Sequence, residues 1–175
     1  GMTWKNIEER DYLMGGFYWT AFDYRGECGD YPSNISSFGA MDLCGFPKDS
    51  FFWNMVLWSD EPQIYLSPYR KDSAEIACYS NCEQVKLYMG NTIIAEIDND
   101  KYSPPVIPIA NKGILRAEGY NSGVKVCEIN ALLAQKAQKL KCDVFTASDT
   151  VIVDYMAYDS NNVFVPDADN LISFE

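Results

Sequence analysis

The sequence predicts a mainly β protein: an immunoglobulin-like β-sandwich preceded by a helix–strand–loop–helix unit. Three observations predict it. After Pro62 the chain breaks into short alternating segments, "QIYLSP", "EIACYS", "QVKLYM", "TIIAEID", "ILRAEGY" and "VKVCEIN". They recur about every 8 to 12 residues with turn formers between them, the spacing of a sandwich. Two junctions carry hairpin chemistry, Gly90-Asn91 in "LYMGNTII" and the centre of "GYNSGVKV". Before Asp60 the pattern differs, with helical periodicity, one continuous apolar run and a long loop rich in glycine and proline. The implied boundaries are 1–60 for this mixed unit, 61–130 for the sandwich, and 131–175 for a linker and the incomplete start of a further β-sandwich.

Each element follows from local chemistry. "TWKNIEERDYLM" reads as a helix, with Thr3 as cap and Trp4, Ile7, Asp11 and Met14 at helical spacing. Gly15 and Gly16 stop it. "FYWTAF", residues 17–22, is apolar on both faces and suits a strand buried in a parallel sheet. Residues 23–48 hold Gly26, Gly29, Pro32, Asn34, Gly39, Gly45 and Pro47, a loop long enough to be functional, with enough apolar residues to be ordered. "DSFFWNMVLWSDEP" reads as a helix capped by Asp49 or Ser50 and ended by Pro62. After the sandwich, "ALLAQKAQKLKC" has helical composition, and "DTVIVDYMAYDSNNVFVPDADNLISFE" returns to strands around the turn "DSNN". Two or three strands do not make a sandwich by themselves.

Composition bounds the function. The net charge of −11 over 175 residues excludes duplex nucleic acid and anionic membrane surfaces as partners, since both need a basic face. No apolar run is long enough for a transmembrane helix. The start, "GMTWKNIEERD", is polar and charged rather than signal-like, and Gly1 before Met2 looks like a remnant of tag cleavage. The chain has no histidine, which removes the usual triads, histidine-ligated metals and the common general base near neutral pH. Catalysis would have to run on carboxylates, tyrosines, lysines or cysteines. Nothing in the sequence calls for a cofactor. Cys78 and Cys82 form C-x3-C without a second pair, a poor zinc pattern. On one strand they share a face but stand too far apart to bond, so the six cysteines are expected as free thiols.

The stretch "GGFYWTAFDYRGECGDYP" concentrates the candidate site: Trp19 in the apolar run, then Asp23, Arg25 and Glu27 where it ends, with Lys48 further on in "GFPKD". Trp19 is either a core residue or a flat face for a ligand. Asp23 and Arg25 either bind a ligand or pair with each other. Glu27 and Lys48 either approach the ligand or stay solvated.

The segments "GGFYWTAFDYRGE", "FGAMDLCGFPKDSFFW" and "LWSDEPQIYL" resemble the end of the catalytic barrel of glycoside hydrolase family 2, most of all its bacterial β-galactosidase branch. "YSNCEQVKLYMGNTI" is similar to the β-sandwich that follows in that family, and "VFVPDADNLISFE" to the first strands of the next. The resemblance implies that residues 17–22 are the eighth strand of a (β/α)8 barrel, with its site at the strands' C-terminal ends. It places Trp19 on the floor of the pocket for a terminal sugar, its indole against the apolar C–H face of galactose, and makes carbohydrate the partner. It further implies retaining hydrolysis by two glutamates from the fourth and seventh barrel strands. No matching "NE" motif stands in this sequence, so the chain alone is expected to be inactive and to hold one wall of the pocket. Proteins of the family are often periplasmic or secreted. A non-catalytic β-sandwich that packs or binds carbohydrate is the alternative. The uncovered faces of "FYWTAF" lead to two expectations: a homodimer through the N-terminal unit, or packing of that unit onto the sandwich. Either would cover Trp19 with protein and leave galactose bound only weakly.

Overall fold

In the computed structural model, described here for residues 2–67, 75–109, 114–132, 134–165 and 168–173, the chain runs α1 (Met2–Glu8), β1 (Tyr24–Arg25), β2 (Ile35–Ser36), α2 (Asp49–Trp58), β3 (Ile64–Ser67), β4 (Glu75–Ser80), β5 (Gln84–Met89), β6 (Thr92–Asp98), β7 (Val106–Pro108), β8 (Ile114–Asn121), β9 (Val124–Leu132), β10 (Lys139–Ala147) and β11 (Thr150–Tyr158). Strands β3-β4-β7 form one antiparallel sheet and β6-β5-β8-β9 another. Alternation along each strand sends one set of side chains between the sheets: Ile64, Leu66, Ile76, Cys78 and Ile107 from the first, Val85, Leu87, Leu115 and Ala117 from the second. This is the sandwich that the spacing after Pro62 predicts. Its two hairpins turn where expected, with Gly90 at φ 58° in one and Ser122 and Gly123 at 50° and 77° in the other.

The opposite face of the three-stranded sheet is covered by α2. Val56 packs there against Ala77 and Tyr79, joined by Trp53 and Tyr65, and the Phe52 ring stacks on Tyr65 at 3.6 Å. β4 is therefore covered on both faces, Ile76 and Cys78 facing the other sheet and Ala77 and Tyr79 facing α2. α1 reaches the same end of the molecule: Trp4 meets Trp58 edge-on at 5.3 Å, and Glu8 accepts from Lys101 at 3.0 Å.

Several expectations are corrected. α1 stops at Glu8 instead of running to Met14, and Thr3 lies inside it. Residues 11–14 are exposed, and a short helix with no surface to dock on does not persist. Residues 17–22 form no strand: Phe17, Trp19 and Phe22 are 105%, 69% and 50% exposed, and only Phe22 makes a bridge, to Met41. A parallel strand exists through its neighbours' hydrogen bonds, and these residues find a partner only along 40–41. The N-terminal unit does lie on the sandwich through α2, yet that packing leaves Trp19 uncovered. α2 has Lys48 at its cap position without a side-chain cap; Asp49 instead accepts from Ser67 Oγ at 2.7 Å and from Tyr79 Oη at 3.3 Å. Residues 139–142, read as the end of a helix, instead open strand β10, the nine residues Lys139–Ala147. They pair with β11 over nine rungs, and the ladder offered by "TVIVDYMAY" outweighs the small helix propensity of Ala, Gln and Lys. β7, short, preceded by Pro104 and Pro105 and ending on Pro108, was not anticipated at all. Part of the helix expected at 131–142 and of the strands expected after the turn "DSNN" falls on residues 133, 166–167 and 174–175, outside the described residues.

Candidate functional site

The loop between residues 20 and 48 is organised by backbone pairing around 39–41. Ala40 and Met41 donate to the carbonyls of Thr20 and Ala21 at 2.9 Å each, Asp23 donates back to Met41 at 2.8 Å, and Lys48 donates to Ala40 at 2.9 Å. Three strands of chain thus run side by side with Ala40 and Met41 in the middle. The approach is close enough to require glycine at 39: a Cβ there would lie 2.2 Å from the Asp23 nitrogen and 2.5 Å from the Met41 oxygen. The "DLCGFPK" segment is tied off by Asp42, whose carboxylate accepts from Cys44 and Phe46 nitrogens at 2.8 and 2.9 Å.

This frame brings Asp23 and Lys48 together. One Asp23 oxygen accepts from Lys48 Nζ at 2.7 Å and from the Gly39 nitrogen at 2.8 Å, and Lys48 also donates to the Ser37 carbonyl at 3.2 Å. The side chains are 11% and 32% exposed, so the pair is largely shielded. The hydrogen bond from Lys48 holds the Asp23 carboxyl below the usual range; desolvation opposes it and the Gly39 N–H assists. Asp23 therefore pairs with Lys48, not with Arg25. The reading of Lys48 as merely solvated is likewise replaced by an ion pair.

Just after Asp23, β1 and β2 form a two-rung ribbon, Tyr24 opposite Ser36 and Arg25 opposite Ile35. Its turn starts at Gly26 and Glu27, both at positive φ, and is fixed by the buried Ser36 hydroxyl, which donates to the carbonyls of Gly26 and Glu27 at 2.7 and 2.5 Å. Trp19 stands beside this ribbon. Its Nε1–H donates to Tyr24 Oη at 3.2 Å, the two rings meet edge-on at 6.2 Å, and Tyr24 in turn donates to the Glu27 carboxylate. The Trp19–Thr20 peptide is cis. The result is an exposed indole whose polar edge is oriented by a tyrosine and a carboxylate. Arg25 is exposed and makes no ion pair among the described residues. Also among these residues, no group of three or more cysteines, aspartates and glutamates is arranged to hold a metal ion.

Such an arrangement leaves a flat apolar ring face on Trp19 open for stacking, with the Glu27 carboxylate held near its polar edge through Tyr24. Trp19, Asp23, Arg25, Glu27 and Lys48 thus sit on one loop system. Tyr24, Ser36 and Gly39, which position them, were missed. The adjacent "DY" in "AFDYRGE" was a weak signal for Tyr24, but nothing local marks Ser36 or Gly39, whose partners lie 9 to 16 residues away.

No family model matches the chain. Over 185 residues it is 28% identical to a β-galactosidase of Bacteroides ovatus, covering 97% of this chain and 22% of that protein. Over 191 residues it is 23% identical to a β-glucuronidase of Formosa agariphila, covering 98% of this chain and 19% of that protein. Among solved structures, a glycosyl hydrolase family 2 member from Bacteroides cellulosilyticus superposes with a TM-score of 0.68 at 25% identity, over 92% of this chain and 25% of that one. Its relatives are glycoside hydrolases of family 2. The likeness to family 2 runs from the loop around Trp19 through both sheets of the sandwich to the β10–β11 hairpin, since it spans nearly the whole chain. The chain spans about a fifth of the length of the curated family 2 relatives it matches.

Proposed function

We propose that this chain supplies one wall of the sugar pocket of a family 2 glycosidase of β-galactosidase type, and that the bond-breaking carboxylates are not among its residues. One observation carries the reading: a mostly exposed Trp19 ring, its Nε1 held by Tyr24, on a loop braced by the Asp23–Lys48 pair. Trp19 stacks on the terminal sugar, and Asp23, Arg25, Glu27 and Lys48 frame its hydroxyls. For the whole protein the reaction is retaining hydrolysis of a terminal β-linked galactose or related sugar, which needs two carboxyl groups about 5 to 5.5 Å apart. Asp23 is unsuited to either role, because its single engaged oxygen already carries a cation and a backbone donor.

Asp23, Glu27, Arg25 and Lys48 sum to no net charge, so the loop offers no excess of positive charge to a uronate; with Lys48 neutralised by Asp23, Arg25 is the cation of this set that a uronate carboxylate could meet.

Two measurements test the reading. The purified chain is expected to leave a chromogenic β-galactoside uncleaved above the buffer rate; turnover that vanishes with Glu27→Gln would overturn this. Saturation-transfer NMR should detect galactose at about millimolar affinity, near −4 kcal/mol. The signal should be weaker with glucuronate and absent in Trp19→Ala. A signal unchanged in Trp19→Ala refutes the stacking role, and a stronger signal with glucuronate refutes the sugar class.

A further inference from the structure

Three sulfur atoms meet in the sandwich interior: Cys78 on β4, Cys82 in the turn after it, and Cys127 on β9 of the other sheet. Cys82 and Cys127, 45 residues apart in sequence, bring their Sγ atoms to 3.4 Å. Cys82 is 2% exposed, while Cys127 is half-buried and reachable from outside. The backbone of Cys82 is held on both sides, its nitrogen donating to Ser80 Oγ at 3.1 Å and its carbonyl accepting from Asn99 Nδ2 at 2.9 Å.

The space around the two sulfurs is made by an absent side chain. Gly119 on β8 pairs with Cys127, at a point where the register of β8 and β9 shifts. A Cβ on Gly119 would lie 2.4 Å from Cys82 Sγ and 2.8 Å from Cys127 Sγ. The glycine thus opens a slot that both thiols fill, one from each side of the sandwich. Two thiols facing each other across such a slot, one fixed and one accessible, are disposed for exchange rather than for packing alone.

We propose that Cys82 and Cys127 are a disulfide-forming pair, a modification site at which a small-molecule disulfide closes a bond between the β4–β5 turn and β9. Cys127, the accessible partner, attacks one sulfur of the reagent as thiolate. The reagent's S–S bond breaks, and its first thiol leaves with the proton that Cys127 gave up. Cys82 then loses its proton and attacks the Cys127 sulfur of the mixed disulfide, releasing the second thiol. Two protein thiols are oxidised, one small disulfide is reduced to two thiols, and two protons pass from protein to leaving groups. Burial pushes the Cys127 thiol up to about 12, with the Cys82 contact adding to it. Exchange is consequently slow at neutral pH and speeds up about tenfold per pH unit below that value, in step with the thiolate fraction.

The experiment treats the folded chain with oxidised glutathione at pH 7 and pH 9, quenches with an alkylating agent, and maps peptides by mass. The expected result is a peptide pair linked through Cys82 and Cys127, forming faster at pH 9, while exposed Cys28, Cys44 and Cys142 carry glutathione. Oxidation should also raise the melting temperature of the wild type but not of Cys127→Ala. In Cys82→Ala, Cys127 should stop at the glutathione adduct. Should these variants not fold, the wild-type map decides alone. Free Cys82 and Cys127 at pH 9, with the exposed cysteines fully modified, would overturn the proposal. So would a Cys78–Cys82 link.

Discussion

At Gly39 three segments of backbone pass within hydrogen-bond range, and the site depends on that approach. Gly39→Ala would drive a methyl into the Asp23 nitrogen and the Met41 carbonyl, both backbone atoms that cannot swing away. The expected cost is about 1–3 kcal/mol in a urea melt, together with loss of the galactose signal; an unchanged midpoint would contradict the close packing. Asp23 carries the acid dependence of the same loop. Its folded pKa is depressed, chiefly by Lys48, so the stabilisation is present above the ordinary carboxylate range and fades as pH falls through the depressed value. Asp23→Asn should therefore be less stable than wild type near pH 7, with the gap closing toward acid; a gap that stays constant with pH would refute the pair's role. At this scale Trp19 and Asp23 could be singled out as candidates because an aromatic followed by charges at the end of an apolar run is unusual. The partner of Asp23 was not legible, because Lys48 is 25 residues away and only the fold brings it back.

Among the elements, the β10–β11 hairpin shows how far local preference can be overruled. Both strands are largely exposed, and the ladder between them is their main support. Its base is fastened by Asp159, fully buried, whose carboxylate accepts from the nitrogens of Gln135, Asn161 and Val163 at 3.0, 2.8 and 2.9 Å. The Gln135 N–H is the leading cause that holds this carboxyl below its usual range. Asp159→Ala should lower the melting temperature and open residues 134–138 and 160–165 to limited proteolysis. If the cleavage pattern stays that of the wild type, the fastening role is wrong. Within the sandwich, Leu87 is fully buried between the sheets, and Leu87→Ala is expected to cost about 2–5 kcal/mol by equilibrium unfolding. A cost below about 1 kcal/mol would mean that the two sheets do not share this core. Apart from β7, the strands of the sandwich could be read from alternation and turn chemistry, whereas α1 and residues 17–22 could not be sized, because their extent depends on what they dock against.

Among the described residues, large apolar side chains stand exposed at the N-terminal unit, Phe17, Trp19 and Phe22, and on both faces of the hairpin, Val144 and Val151 on one and Phe145 and Ile152 on the other. Burying about 400 Å² at roughly 25 cal/mol per Å² is worth on the order of 10 kcal/mol before association costs. The net charge of −11 opposes self-association, so a dimer should tighten as salt rises. Light scattering at two salt concentrations is expected to show a dimer that Phe17→Ser with Phe22→Ser disrupts and Val144→Ser with Val151→Ser does not. A monomer at every concentration would remove the proposal, and the reverse pattern of variants would move the interface to the hairpin.

What the sequence determined by itself is what depends on neighbours in the chain. The alternation of "EIACYS", "QVKLYM" and "VKVCEIN" sets which side chains face inward, and glycine at 90 and 123 sets where the hairpins turn. Those choices are made by sterics over a few residues. The tertiary structure decided what depends on distant partners: that 139–147 is a strand because 150–158 lies beside it, that Asp23 meets Lys48 across Gly39, and that Cys82 meets Cys127 over Gly119. Such pairings carry no local signal, because their energy is realised only when segments far apart in sequence have already come together.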